Sequence, residues 1–66
     1  MPIIEVNIRE QSYETRKIIA EGITRVIADT GVPKHAITVV FKTVNPDYIA
    51  EGGEMLTEKL ADKKQD

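Results

Sequence analysis

The sequence predicts a small α+β domain that consists of a β-α-β unit followed by a C-terminal hairpin. Three observations predict the unit: an alternating apolar run at residues 2–9, an amphipathic stretch at residues 13–29, and a β-branched run at residues 36–43. Two strands joined by a crossover helix run parallel, and the crossover is right-handed. We therefore expect residues 1–66 to form a single domain.

The first strand is predicted from Pro2 to Arg9, where the side chains alternate in character. One face carries three apolar side chains, Ile4, Val6 and Ile8. The opposite face carries Ile3, Glu5, Asn7 and Arg9. Because successive side chains of a strand point to opposite faces, this pattern indicates a sheet that is buried on one side.

The helix is predicted from Tyr13 to Asp29. Ser12 is a suitable N-cap, since its hydroxyl can accept a hydrogen bond from an unpaired backbone N–H. Gly31, with Pro33 after it, is typical of the residues that follow a helix end. Apolar residues at positions i, i+4, i+7 and i+8 form the predicted core stripe, Ile19, Ile23, Val26 and Ile27.

The second strand is predicted from about Ala36 to Thr43, because β-branched and aromatic residues dominate it. Thr38, Val40 and Lys42 share one face, and Ile37, Val39 and Phe41 share the other. One helix covers only one face of a two-stranded sheet. The apolar side chains on the uncovered face, such as Ile3 and Val40, are therefore expected to contact another copy of the chain.

The C-terminal third carries turn signals. Asn45-Pro46-Asp47 predicts a turn, and Gly52-Gly53 predicts a tight hairpin, because glycine adopts positive φ without strain. Residues 54–60 are predicted to form a short closing strand or turn. The charged residues 62–66 are predicted to be a frayed tail.

Composition excludes several classes of site. The chain has no cysteine and one histidine, His35, so disulfides, thiol catalysis and a histidine-cysteine metal site are excluded. A net charge of −2 argues against nucleic acid as a partner. No apolar run approaches the roughly 20 residues that cross a bilayer. With no leader pattern either, we expect a cytoplasmic protein that gains stability by self-association.

Pro2 is the candidate catalytic residue. If the initiator Met1 is removed, Pro2 becomes an N-terminal secondary amine, which is a proton acceptor that an internal proline lacks. A free α-amine titrates near pH ~8, and partial burial lowers that pKa because desolvation disfavours the ammonium form. A base tuned toward neutral pH is suited to proton transfer at carbon.

Three segments together resemble the 4-oxalocrotonate tautomerase family: MPIIEV at the start, GVPKHAITVVFKTV in the middle and AEGGEML near the end. The resemblance covers nearly the whole chain. It implies a β-α-β fold with a C-terminal hairpin, assembled as a homohexamer of dimers. It also implies enol–keto tautomerisation of a small unsaturated 2-hydroxy or 2-oxo acid without metal or cofactor, with Pro2 as general base.

The resemblance assigns four substrate-binding positions, three of which depart from the family pattern. The arginine that follows the family's first strand is replaced by Ser12, and the arginine in its second strand by Thr38. The aromatic residue before its glycine pair is replaced by Ile49. The backbone N–H that the family uses near the end of the first strand corresponds to Arg9. The Arg9 guanidinium is either a replacement cation or a solvated charge.

Two other functions fit the same residues. Related folds hydrate or dehalogenate unsaturated acids, which requires a carboxylate to activate water, and Glu5 and Glu51 are the candidates. Alternatively, the loss of the arginines indicates a non-catalytic oligomer that serves as a scaffold or binding module.

Overall fold

The computed structural model describes the backbone of residues 1–64 and the side chains of residues 1–61. The elements follow in the order β1 (Ile3–Ile8), α1 (Tyr13–Ala28), β2 (Thr38–Thr43), β3 (Ala50–Glu51), β4 (Glu54–Met55) and α2 (Leu56–Lys64). Two short 3-10 turns, Lys34–Ala36 and Pro46–Tyr48, precede β2 and β3. The predicted α+β class, with a β-α-β unit and a C-terminal hairpin, is confirmed.

Strands β1 and β2 form a parallel two-stranded sheet. Ile3 lies opposite Thr38, and the register continues to Ile8 opposite Thr43. The face toward α1 carries the half-buried side chains Ile4, Val6, Ile8, Val39 and Phe41. On the other face Ile3 is 61% exposed and Val40 is 37% exposed. The predicted division of the two faces is confirmed.

Helix α1 begins and ends close to the predicted residues. The Ser12 hydroxyl accepts a hydrogen bond from the backbone N–H of Thr15 at 3.2 Å, as expected of an N-cap. The helix ends at Ala28, and Gly31 adopts a φ of 107° beyond it. That positive φ explains why a glycine follows this helix.

The predicted core stripe of α1 is wrong at Val26. Ile19, Ile23 and Ile27 are half-buried, whereas Val26 is 67% exposed. The physical reason is the width of the sheet: α1 packs mainly against β2, and two strands cannot cover the whole apolar side of a helix. The apolar side chains of α1 that stay uncovered are Ile18, 68% exposed, and Val26, and together they form the exposed ridge of this helix.

Strand β2 begins two residues later than predicted, at Thr38 instead of Ala36. The residues before it form a 3-10 turn in which the Ala36 N–H donates to the Pro33 carbonyl at 3.0 Å. The exposed His35 lies in this turn.

The hairpin is confirmed, but the segment after it is not the predicted closing strand or turn. Gly52 and Gly53 have φ values of 62° and 86° and connect β3 to β4. Only Glu54–Met55 is a strand, after which the chain forms α2 from Leu56 to Lys64. Of the predicted frayed tail at residues 62–66, residues 62–64 are instead the end of α2, and residues 65–66 lie outside the described residues.

Two side-chain interactions connect α2 to the preceding segments. Thr57 donates a hydrogen bond to the Asp47 carboxylate, and Lys59 Nζ lies 2.9 Å from Glu51 Oε1. The Asn45 side chain accepts from the Asp47 backbone N–H at 2.9 Å and fixes the turn between β2 and the hairpin.

The subunit on its own has no closed core. None of the side chains of residues 1–61 is buried. The radius of gyration is 15.8 Å, against about 11 Å for a compact domain of this length. Among residues 1–64, neither helix has the length and apolarity that crossing a bilayer requires.

Candidate active site

Pro2 lies at the start of β1, beside the start of β2. Its carbonyl accepts a hydrogen bond from the Thr38 N–H at 3.0 Å, which fixes the backbone on the carbonyl side of the ring. Pro2 is half-buried, whereas the Met1 residue joined to its nitrogen is 88% exposed. By strand alternation Pro2 belongs to the same face as Ile4, the face that α1 covers.

Thr38 is the one predicted substrate-binding residue that lies next to Pro2 in the same chain. Its N–H is already paired with Pro2, and its side chain belongs to the uncovered face with Ile3. Thr38 therefore fixes the Pro2 backbone directly, while its hydroxyl belongs to the opposite side of the sheet.

Arg9 and Ser12 lie at the other end of the sheet. Pro2 and Arg9 are seven residues apart along an extended chain, which corresponds to roughly 23 Å. The Arg9 guanidinium makes no hydrogen bond or ion pair with another described residue, and it borders a cleft of about 530 Å³ at the carboxyl ends of the strands. Within one chain, these residues cannot contact a small molecule held at Pro2.

Ile49 also follows the carboxyl end of β2. It lies half-buried between the Pro46–Tyr48 turn and β3, and its carbonyl accepts a hydrogen bond from the Leu56 N–H at 2.8 Å. The structure therefore brings Pro2 and Thr38 together, and it groups Arg9, Ser12 and Ile49 toward the opposite end.

Both carboxylates considered for water activation interact with lysines. Glu5 Oε1 lies 3.4 Å from Lys42 Nζ on the uncovered sheet face. The hydrogen bond between Lys59 and Glu51 raises the pKa of the Lys59 ammonium above its usual value, and the charge of Glu51 adds to the effect. Within residues 1–61, no three acidic or histidine side chains are grouped closely enough to hold a metal ion.

Arg16, in the first turn of α1, is a candidate that the sequence analysis did not identify. Its Nε donates a hydrogen bond of 3.4 Å to the Ser12 carbonyl, and its guanidinium carbon lies 5.9 Å from the centre of the Tyr13 ring. Arg16 and Arg9 border the same small cleft of about 120 Å³. The i+4 spacing from Ser12 is the sequence signal that could have indicated this position.

Comparison with known proteins agrees with this geometry. The family model described as tautomerase enzyme matches residues 2–59. TomN, a 4-oxalocrotonate tautomerase homologue of the tomaymycin biosynthetic pathway, is similar in structure with a TM-score of 0.84 and 27% identity, over 91% of this chain and 95% of TomN.

A second solved structure is similar over slightly less of the chain. SAR1376, a suggested 4-oxalocrotonate tautomerase from methicillin-resistant Staphylococcus aureus, has a TM-score of 0.77 and 28% identity, over 85% of this chain and 94% of SAR1376. No curated protein sequence matches the chain.

Proposed function

The chain belongs to the 4-oxalocrotonate tautomerase family, and from this premise we propose that it is a cytoplasmic, cofactor-free tautomerase that uses Pro2 as general base. The substrate is a small unsaturated 2-hydroxy or 2-oxo acid. The observation that carries the proposal is the position of Pro2, which follows a single exposed residue and is half-buried at the start of β1.

The chemistry requires Met1 to be removed, because an acylated proline nitrogen cannot accept a proton. The free amine takes the proton from the enol hydroxyl. The hydroxyl oxygen becomes the carbonyl oxygen, and the electron pair of the C=C bond moves to the carbon atom that is to be protonated. The same nitrogen then returns its proton to that carbon. Partial burial of Pro2 supports this role, since desolvation lowers the pKa of an amine toward neutral pH.

Substrate binding is assigned to Arg9, Ser12, Thr38 and Ile49. A cation is needed for the carboxylate, and N–H donors or cations are needed for the negative charge that develops on the enol oxygen. The Arg9 guanidinium has no partner among the described side chains, which supports its role as that cation.

The active unit is proposed to be a homo-oligomer, a hexamer by analogy with the family. The absence of buried side chains in residues 1–61 and the exposed ridge of α1 support assembly. Assembly also supplies what one chain lacks, because Pro2 and Arg9 lie at opposite ends of β1 and a second chain can bring the two ends together.

The test measures ketonisation of 2-hydroxymuconate and phenylenolpyruvate by the wild type, Pro2→Ala and Pro33→Ala. Pro33→Ala is the matched control, because it makes the same chemical change in an exposed loop. Pro2→Ala replaces the secondary amine by a primary amine that the ring no longer positions, so kcat is expected to fall in this variant alone, by less than the roughly 10²- to 10⁴-fold that complete loss of a general base causes. Mass spectrometry of the purified protein should show that Met1 is absent. Equal rates in all three proteins, or a retained Met1 in the active form, would contradict the role of Pro2.

A further inference from the structure

The carbonyl of Pro2 is the backbone group through which the sheet can hold the proposed base. Proline has no amide N–H, so after removal of Met1 the polar backbone groups of Pro2 are the free amine and the carbonyl. The carbonyl accepts the hydrogen bond from the Thr38 N–H at 3.0 Å, at the start of the pairing between β1 and β2. Hydrogen bonding between the strands can therefore hold Pro2 only through its carbonyl.

This hydrogen bond limits where the Pro2 nitrogen can lie. It fixes the peptide plane between Pro2 and Ile3 and with it the Cα of Pro2, so rotation about the Cα–C bond is the freedom that remains. With an N–Cα bond of about 1.46 Å and an angle near 111°, that rotation moves the nitrogen on a circle of about 1.4 Å radius. Half-burial of Pro2 restricts the rotation further. Without the hydrogen bond the terminus can fray, and the nitrogen is no longer confined in this way.

The 3-10 turn before β2 explains why Thr38 supplies this bond. The Ala36 N–H donates to the Pro33 carbonyl at 3.0 Å. The Ile37 N–H donates to the Lys34 carbonyl at 3.1 Å. Both donors are used within the turn, so Thr38 has the first N–H after the turn that is directed to β1. Strand β2 therefore begins at the residue that holds Pro2.

We propose that the backbone N–H of Thr38 is the positioning group of the Pro2 base, and that the 3-10 turn before β2 sets its place. The inference rests on the proposed function. The space beyond the nitrogen is open to a substrate, because Met1, which is joined to that nitrogen, is 88% exposed. The Thr38 side chain lies on the opposite face of the sheet with Ile3 and takes no part in this role. Since a misplacement of about 1 Å can slow a reaction roughly 100-fold, loss of the hydrogen bond should lower kcat more than it changes KM.

The first experiment compares Thr38→Pro with Thr38→Ala. Both variants lose the threonine side chain, and only the proline variant also loses the N–H. Proline is tolerated at the first residue of a strand, and Ile37 has a φ of −96° and a ψ of 124°, which suit the residue before a proline. The kcat of Thr38→Pro should be about 10- to 100-fold below that of Thr38→Ala, with a similar KM. Equal kcat values in the two folded variants would overturn the inference.

The second experiment changes no side chain, and it decides the question if Thr38→Pro does not fold. The chain beginning at Pro2 is chemically synthesised with a backbone ester in place of the amide at Thr38 or, as the matched control, at Val44. The Val44 N–H donates to the Ile8 carbonyl at 2.7 Å, at the other end of the same two strands. Each ester removes one hydrogen bond between the strands, but kcat should fall only in the Thr38 ester. Equal kcat values in the two esters would overturn the positioning role.

A third measurement separates this inference from the proposed activity. Synthesis places ¹⁵N at the Pro2 nitrogen alone, and NMR follows its signal against pH in both esters without substrate. Release of the amine into solvent should raise its pKa in the Thr38 ester relative to the Val44 ester, because desolvation then no longer disfavours the ammonium form. If no tautomerase activity is found but this rise is observed, the proposed function fails and the positioning role stands. The same pKa in both esters would overturn the positioning role.

Discussion

Replacing Val26 with serine tests whether the exposed ridge of α1 is a contact between copies. Valine and serine have similar helix propensities, so the substitution leaves α1 itself nearly unaffected. Val26 is 67% exposed, and it borders an apolar cleft of about 520 Å³ with Ile4, Ile23 and Ile27. The side chain therefore contributes little to its own subunit and has most of its surface available to a partner.

The expected size of the effect follows from that exposure. Full burial of an apolar side chain contributes roughly 1.5–3 kcal/mol, so the exposed two thirds of Val26 contribute about 1–2 kcal/mol when a partner covers them. A two-fold contact includes the residue twice, which makes the loss about 2–4 kcal/mol. The dissociation constant of the pair should rise roughly 30- to 1,000-fold.

Sedimentation velocity over a range of protein concentrations measures that constant, and circular dichroism reports the helix content of the same samples. The matched contrast is Val39→Ser, because Val39 is half-buried in β2 and faces α1. Val39→Ser should lower the stability of the subunit itself. If Val26→Ser leaves the dissociation constant unchanged and instead destabilises the subunit, Val26 belongs to the subunit core and the reasoning fails.

Two further predictions concern the C-terminal region. Gly53→Ala should destabilise the hairpin by about 1–2 kcal/mol, because Gly53 has a φ of 86° that a Cβ disfavours. Gly52→Asn should destabilise it less, because asparagine tolerates the φ of 62° found at Gly52. Thermal denaturation of the two variants compares their stabilities. The interaction with Glu51 raises the pKa of Lys59, so its stabilising effect is complete below about pH 10.5 and is lost as the pH rises through the folded-state pKa. Helix signal followed against pH should show this loss in the wild type and not in Lys59→Gln.

The β-α-β unit could be predicted because each of its signals is local. Alternation in β1, the Ser12 cap and the glycine pair of the hairpin act over two to four residues, and the structure follows them closely. Helix α2 was missed because its apolar residues are few and its interactions reach back to the turn and the hairpin. The hydrogen bond from Thr57 to Asp47 spans ten residues, which no periodicity reveals.

The error at Val26 has a different cause. Helical periodicity shows which residues share a side of α1, but it does not show whether a sheet or another chain covers that side. Ile19, Ile23 and Ile27 face the sheet, while Ile18 and Val26 extend the same apolar side beyond it. The apolar residues that pack on the sheet and those that remain for a partner chain follow the same helical spacing. Only the width of the sheet decides which of them the subunit itself covers.

The same reasoning applies to the candidate site, because the proposed base Pro2 and the Arg9 cation flank β1, and one chain keeps them about 23 Å apart. In an assembly, the proposed site needs the start of β1 in one copy to lie near the carboxyl ends of the strands in another. The alignment of the two copies along β1 should therefore affect the rate of the proposed reaction. Inserting one residue into β1 would turn Arg9 and every other side chain beyond the insertion to the opposite face of the sheet, and it should abolish activity even with every side chain still present.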